Sequence, residues 1–400
     1  MTGSKAPERS FQVPAGIRDA RSYSPELESL RGVACLLVFF FHASGTVDAI
    51  ARDVGPLRAF AYAGHTGVTL FFVLSAFFLS RPFLEQARGG PRVSWGGFWA
   101  RRALRILPLY FFIVVVASLW NAQAPADLLR GLPYLVFLNS FPGLVDPLEP
   151  FSSVWWSLAT ECQFYLLLPI ASLCLLSRPG RVLGALGLCV WTALYALFVL
   201  HRIGPSDPIA YANLGFSLFG RAPALLGGVA AAWIWGRYAA PARAALQRQP
   251  WLRRGGADAL LLALLWGLGE LLSGVARRGF SAAEVTWHAW HVAEALFWTA
   301  LVLWILLAPL RTAPLFSNPV LRGVGVLSYS LYLVHLVILY RILIPCLDIM
   351  VVGKPGWTPR AFAATLAALA ASLAVSFVTY RLVERPFLVR KARLFRNPSG

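Results

Sequence analysis

The chain has 400 residues, of which 58% are hydrophobic and 14% charged, with a formal net charge of +18. Soluble domains are about 45–50% apolar and about 25% charged, and here the apolar residues come in runs of helix length, which excludes a water-soluble globule. The charge does not describe a nucleic-acid partner either, because the Lys and Arg residues fall in short segments between apolar runs and not along a stripe of a soluble fold.

The first 29 residues are polar and lack the apolar core of a signal peptide. Runs of about 20 apolar residues predict membrane spans. Ten lie near 30–49, 67–84, 103–120, 155–177, 182–200, 215–236, 258–275, 288–310, 324–346 and 362–383. The expected fold is therefore an all-α polytopic bundle: an N-terminal arm over 1–29, a transmembrane domain over 30–388 and a basic tail over 389–400. If both termini are cytoplasmic, 26 Lys/Arg lie in inner segments and eight in outer ones, so the positive-inside rule predicts that orientation. The tail is expected to rest on the anionic inner leaflet.

Ionisable residues inside spans are expensive and are candidates for function. In the first span Arg31 and His42 stand eleven residues apart, three turns plus about 20°, and so share one helix face. The separation along the axis is roughly 16 Å. Arg31 is then at the inner surface and His42 beyond the midplane. His65 enters the second span from outside. The third opens with Arg101, Arg102 and Arg105. The i, i+3 pair Arg102 and Arg105 suits phosphate, because guanidinium forks match phosphate oxygens. Positive-inside anchoring alone also accounts for them.

The segment 121–154 holds five prolines around a short apolar run, Leu132 to Leu138, too short to span, and is expected to be a re-entrant or interfacial piece serving as a lid. Ser157, Glu161 and Tyr165 then make an i, i+4, i+8 stripe in the fourth span. Counting from the outer ends puts His42, Glu161, His65 and Arg221 in one layer. A buried Glu without a partner is costly, so Glu161 is expected to pair with His42, His65 or Arg221. His288 and His291, beside Trp287, Trp290 and Glu284, have a conceivable metal spacing, but the aromatic setting reads as an interfacial belt and no metal is expected. Ser328, Tyr332 and His335 share a face of the ninth span. Glu384 closes the last span level with Arg31, a possible ion pair. The five cysteines, Cys35, Cys162, Cys174, Cys189 and Cys346, fit neither a zinc site nor a disulfide framework.

These segments together resemble the acyltransferase-3 family of bacterial membrane proteins, from about Ser24 to Pro386. The matching pieces are Leu-Glu-Ser-Leu-Arg31-Gly with His42, Gly67-Val-x-Leu-Phe-Phe-Val-Leu-Ser75, and Phe98-x-x-Arg101-Arg102-x-x-Arg105-Ile-x-Pro108. Trp156-Ser-Leu-x-x-Glu161-x-x-Phe164-Tyr165, Ser328-Tyr-Ser-x-Tyr-Leu-x-His335 and Arg381-x-x-Glu384-Arg-Pro386 complete the set. Ala76 stands where the family usually has Gly. Some members carry an added hydrolase-like domain; this sequence shows none, so a standalone enzyme or a separate partner is expected.

The resemblance implies O-acyl transfer, commonly acetyl from acetyl-CoA, to a carbohydrate such as a surface polysaccharide or lipid-linked glycan, in the bacterial cytoplasmic membrane. It also implies that Arg31 and His42 are required and that Arg102 and Arg105 face the donor. The expected roles are then His42 as base with Glu161 orienting it, Arg31, Arg102 and Arg105 on acyl-CoA, and His65, Trp156, Tyr165, Arg221, Tyr332 and His335 on the acceptor. Acyl-CoA is a co-substrate, with no tightly bound cofactor; membrane lipid and polysaccharide-assembly proteins are the expected partners. The alternatives are acylation of a small metabolite such as a macrolide sugar, and a transporter or flippase that uses the same His and Glu as a relay.

Overall fold

The computed structural model describes residues 24–47, 55–140, 145–200, 202–204, 207–278, 285–348 and 357–394. Most of the N-terminal arm, the last residues of the tail and Glu284 lie outside the described residues. Among the described residues there is no strand, and ten helices are long and apolar enough to cross a membrane, one for each predicted span. The chain is a multi-pass membrane protein.

The long helices are α1 (Pro25–Val47), α2 (Thr66–Ala87), α3 (Trp95–Asn121), α4 (Trp156–Ser172), α5 (Arg178–Val199) and α6 (Leu218–Gln247), followed by α7 (Ala257–Arg278), α8 (Val285–Leu307), α9 (Pro319–Asp348) and α10 (Pro359–Thr379). A π-helical turn at Tyr380–Glu384 leads from α10 into a short basic helix, α11 (Arg385–Leu394), whose Leu388 is buried against the bundle. Their starts follow helix-capping chemistry. Ser94, Ser177 and Thr358 each accept a bond from the backbone N–H three residues on. Pro25, Pro319 and Pro359 occupy first helical positions, where a missing N–H is harmless.

Helix α2 is the most enclosed of the ten, with 72% of its most apolar stretch buried, whereas α5 has only 11% buried and lies at the periphery. Around α2 stand α1, α6, α8 and α4; α9 packs between α1 and α10. Helices α1 and α9 run parallel and in register. Gly32 on α1 abuts the Leu321 carbonyl, and Gly325 on α9 abuts the Glu28 carbonyl, so a Cβ at either would strike backbone. Small residues are how membrane helices approach closely. The same device joins α2 to α6, where Gly228 lies against Val73 and Ala76. There the methyl of Ala76, in place of the family's usual glycine, is accommodated by a glycine on the partner helix.

The segment between α3 and α4 folds back into the bundle as short turns of helix, with residues 141–144 outside the described residues. Tyr110, in the middle of α3, donates to the Tyr134 carbonyl at 3.1 Å and stacks on Phe137 with centroids 4.9 Å apart. Trp155 is fully buried against Tyr110 and Tyr134. Tyr110 lies eleven residues before the end of α3, so Trp155 is sunk roughly 17 Å below that end. Helix α4 thus starts near the middle of the bundle. That fact moves everything on it toward the end where α1 begins, called here the basic end.

Candidate active site

Three polar groups line the interior. The first is an imidazole pair. His335 Nε2 on α9 lies 3.1 Å from His42 Nδ1 on α1. His335 Nδ1 faces only acceptors, the carbonyls of Tyr332 at 2.9 Å and Leu331 at 3.2 Å. In the neutral ring that nitrogen therefore carries the proton, and Nε2 is left as an acceptor. His42 Nδ1 then faces two acceptors, His335 Nε2 and the Val38 carbonyl at 2.9 Å. It must be the protonated nitrogen, so the lone pair of His42 sits on Nε2. Partner geometry fixes this assignment, as it must where hydrogens are unseen. His335 is fully buried, whereas His42 is only half-buried. A neutral imidazole with one nitrogen tied back and the other open is suited to accept a proton.

The second group lies at mid-depth beside α1, where Gly64 and Gly67, on either side of His65, abut the Leu37 and Ala34 carbonyls. Glu294 of α8, 0% exposed, places Oε1 3.3 Å from His65 Nε2 and Oε2 2.9 Å from His291 Nδ1, and Thr69 donates to Oε2 at 3.0 Å. Trp287 stacks on His65 at 5.0 Å. Buried Arg221 of α6 lies over Trp156 at 5.0 Å and over Phe216 at 5.3 Å. Phe41 stands between the first two groups, 5.1 Å from His42 and 5.5 Å from His65. From Trp156 the wall continues through Ser157, whose hydroxyl is 2.7 Å from that of Tyr332, one turn from His335. The ligand-type atoms of His65, His291 and Glu294 all fall within 4.8 Å of one another. Glu294 lies between the two imidazoles, and Arg221 is an electrostatic neighbour of both Glu294 and His291. A divalent cation there would add to that guanidinium's charge in a buried site, while His291 Nε2 and Glu294 Oε1 have no hydrogen-bond partner.

The third group is at the basic end. The Ser75 hydroxyl donates to Glu161, and Arg102 is an electrostatic neighbour of both Glu161 and Tyr165. The Tyr165 carbonyl accepts from Trp99 Nε1 at 3.0 Å. Arg105 is paired with buried Glu384 at 3.0 Å, and Ser330 donates to the same carboxylate at 3.1 Å. Arg31 reaches Ser328 at 3.4 Å and Glu28 at 3.8 Å.

Several expectations are thereby corrected. Glu161 is not within hydrogen-bond reach of His42, His65 or Arg221; its partner is Ser75. Counting from the outer end assumed that α4 crosses the whole bundle, but the re-entrant segment starts it half-way. Glu161 therefore drops to the level of Arg102, and His42 takes His335 as its partner. Glu384 pairs with Arg105 and not with Arg31, so Arg102 and Arg105 point to different neighbours despite their i, i+3 spacing. The carboxylate that pairs with His65 is Glu294, absent from the expected site; its spacing from His291, i and i+3 in an otherwise apolar run, is the signal the sequence offers. Trp287 is a buried stacking partner and not a belt residue, while His288, 1% exposed, packs on Phe198 and Tyr211. His65, Trp156, Arg221, Tyr332 and His335 lie together along one wall with His42. Tyr165 lies away from them, beside Glu161.

Residues 24–381 match the family model described as an acyltransferase domain, acyltransferase-3. Among curated proteins, the peptidoglycan O-acetyltransferase OatA of Listeria monocytogenes is 25% identical over 397 residues, covering 92% of this chain and 56% of that protein. The putative peptidoglycan O-acetyltransferase YrhL of Bacillus subtilis is 26% identical over 229 residues, 53% of this chain and 33% of that protein. The O-acetyltransferase OatA of Staphylococcus aureus is 25% identical over 237 residues, 54% of this chain and 36% of that protein. The chain thus spans between a third and rather more than half of the length of these relatives. No solved structure matches it. With a family model covering nearly the whole transmembrane bundle, the chain belongs to the acyltransferase-3 family.

Proposed function

We propose that the chain is a membrane O-acyltransferase that moves an acyl group, acetyl in the first instance, from acyl-CoA to a hydroxyl of a carbohydrate acceptor. The observation that carries this reading is the His335-bonded His42, whose Nε2 lone pair is left available on the helix that begins beside Arg31. The names of the relatives support acetyl as the group and a cell-envelope glycan as the acceptor. The excess of Lys and Arg in one set of connecting segments supports a cytoplasmic basic end, with the protein in the cytoplasmic membrane.

In this mechanism acyl-CoA docks at the basic end. Arg102, free of any ion pair among the described residues, takes the phosphates together with Arg31. The pantetheine arm carries the thioester up the face of α1 from Arg31 toward His42, roughly 16 Å away. His42 Nε2 removes the proton of the acceptor hydroxyl as its oxygen attacks the thioester carbonyl. The tetrahedral intermediate collapses with cleavage of the C–S bond, and the imidazolium returns the proton to the departing CoA thiolate. Atoms and charges balance, and no second base is needed.

Sidedness tests this reading. Acetyl-CoA does not cross membranes, so labelled acetyl should transfer in vesicles that expose the basic end to it and fail in sealed vesicles of the opposite orientation. Equal transfer in both orientations would count against the assignment of ends.

A further inference from the structure

We propose that Arg221 forms an acceptor subsite that binds an acidic group, a carboxylate or phosphate, on the molecule being acylated. The proposal rests on the transferase reading for the position of the acceptor.

Arg221 lies in an apolar helix, is 5% exposed, and makes no ion pair within 4.0 Å among the described residues. Its Nε is enclosed and has no hydrogen-bond partner. A guanidinium inside a membrane is costly unless its donors are met, and such a group marks a functional site. Glu294, an electrostatic neighbour of Arg221, makes no ion pair with it within 4.0 Å; Oε1 lies 3.3 Å from His65, and Oε2 takes His291 and Thr69. The Arg221 guanidinium carbon lies 5.0 Å from the Trp156 ring centroid and 5.3 Å from that of Phe216, rings that offer its N–H groups no lone pair. A guanidinium fork whose donors are not met by the protein suits two-point binding of a carboxylate or phosphate. The place is also right. Trp156 precedes Ser157, whose hydroxyl meets Tyr332, and Tyr332 is ring-packed on His335, the partner of His42. An acid held at Arg221 therefore lies along the same wall as the base and anchors the acceptor without entering the chemistry. Glu294 serves as a positioning residue, holding His65 and His291 and tempering the charge of Arg221.

The test uses purified protein in phosphatidylcholine nanodiscs and three matched pairs of probes. They are a muramyl disaccharide and its methyl ester, a uronic-acid disaccharide and its methyl ester, and a sugar phosphate and its neutral sugar. At least one acid should bind about tenfold more tightly than its neutral partner. The preference should vanish in Arg221→Gln and survive in part in Arg221→Lys, both variants being checked for monodisperse elution and unfolding temperature. No preference in any pair, or a preference that persists in Arg221→Gln, overturns the subsite. Repeating the titration in phosphatidylglycerol nanodiscs distinguishes the source of the acid. If that lipid abolishes the preference, Arg221 holds a lipid headgroup and the acceptor subsite is likewise overturned. Acetyl transfer to crude envelope glycan, run on the same preparations, separates the two levels. Transfer without acid preference removes only the subsite, whereas no transfer from wild type removes the reading beneath it.

Discussion

His335 Nε2 lies 3.1 Å from His42 Nδ1, and this contact between two parallel helices decides which nitrogen of His42 can act. Because His335 Nδ1 is tied to backbone carbonyls, it presents a lone pair to His42 and holds the His42 proton on Nδ1.

The first prediction concerns that contact. His335→Ala should lower kcat by about a hundredfold, within the range for disabling an acid–base group, with little change in acceptor KM. His335→Gln retains a carbonyl oxygen that can accept from His42 and should recover part of the loss. Equal activity of the two variants would mean that His335 only fills space.

Arg102 and Arg105 should separate in their effects. Arg102→Ala should raise the KM for acyl-CoA with little change in kcat, because a phosphate contact is felt equally in ground and transition states. Arg105→Ala should instead destabilise the protein by about 3–5 kcal/mol, since it leaves Glu384 buried without its ion pair. A second change, Glu384→Gln, should restore much of that stability. The unfolding temperatures of the single and double variants, beside donor KM, check both statements. A donor KM unaffected by Arg102→Ala would remove it from the donor site.

Glu161 belongs by geometry to the basic end, beside Arg102, where acyl-CoA is proposed to dock. Glu161→Gln should therefore alter the KM for acyl-CoA and leave the pH profile of kcat governed by His42. A pH profile reshaped by Glu161→Gln would restore the carboxylate to the base.

The α1–α9 seam should be sensitive to a single methyl group. Gly325→Ala would press a Cβ into the Glu28 carbonyl. Overpacking of this kind costs about 1–3 kcal/mol, and it should separate His42 from His335, lowering stability and turnover together. A stable, fully active variant would show that the seam has slack.

Much of this was readable beforehand for definite reasons. Ten spans were legible because each is a helix-length apolar run between charged turns. That His42 and His65 come near each other, both touching Phe41, agrees with the depth count, although His65 packs at the level of Leu37 and not of His42. Glu161 was misplaced because its depth depends on where Trp155 is buried, and that is set by Tyr110 and Tyr134, a tertiary contact with no local periodicity. Glu294 was hidden for a related reason. On its own helix it is one acidic residue in an apolar run, and its meaning comes from His65 and Thr69, more than 220 positions earlier in the chain.

The central claim is that His42 removes the proton of an acceptor hydroxyl during acyl transfer. Its most direct measurement is transfer of label from radioactive acetyl-CoA to envelope glycan by proteoliposomes carrying wild type or His42→Ala. Wild type is predicted to form an alkali-labile ester. His42→Ala should fall by about a hundredfold or more while keeping the wild-type unfolding temperature. Transfer at the wild-type rate by a folded His42→Ala protein would contradict the account.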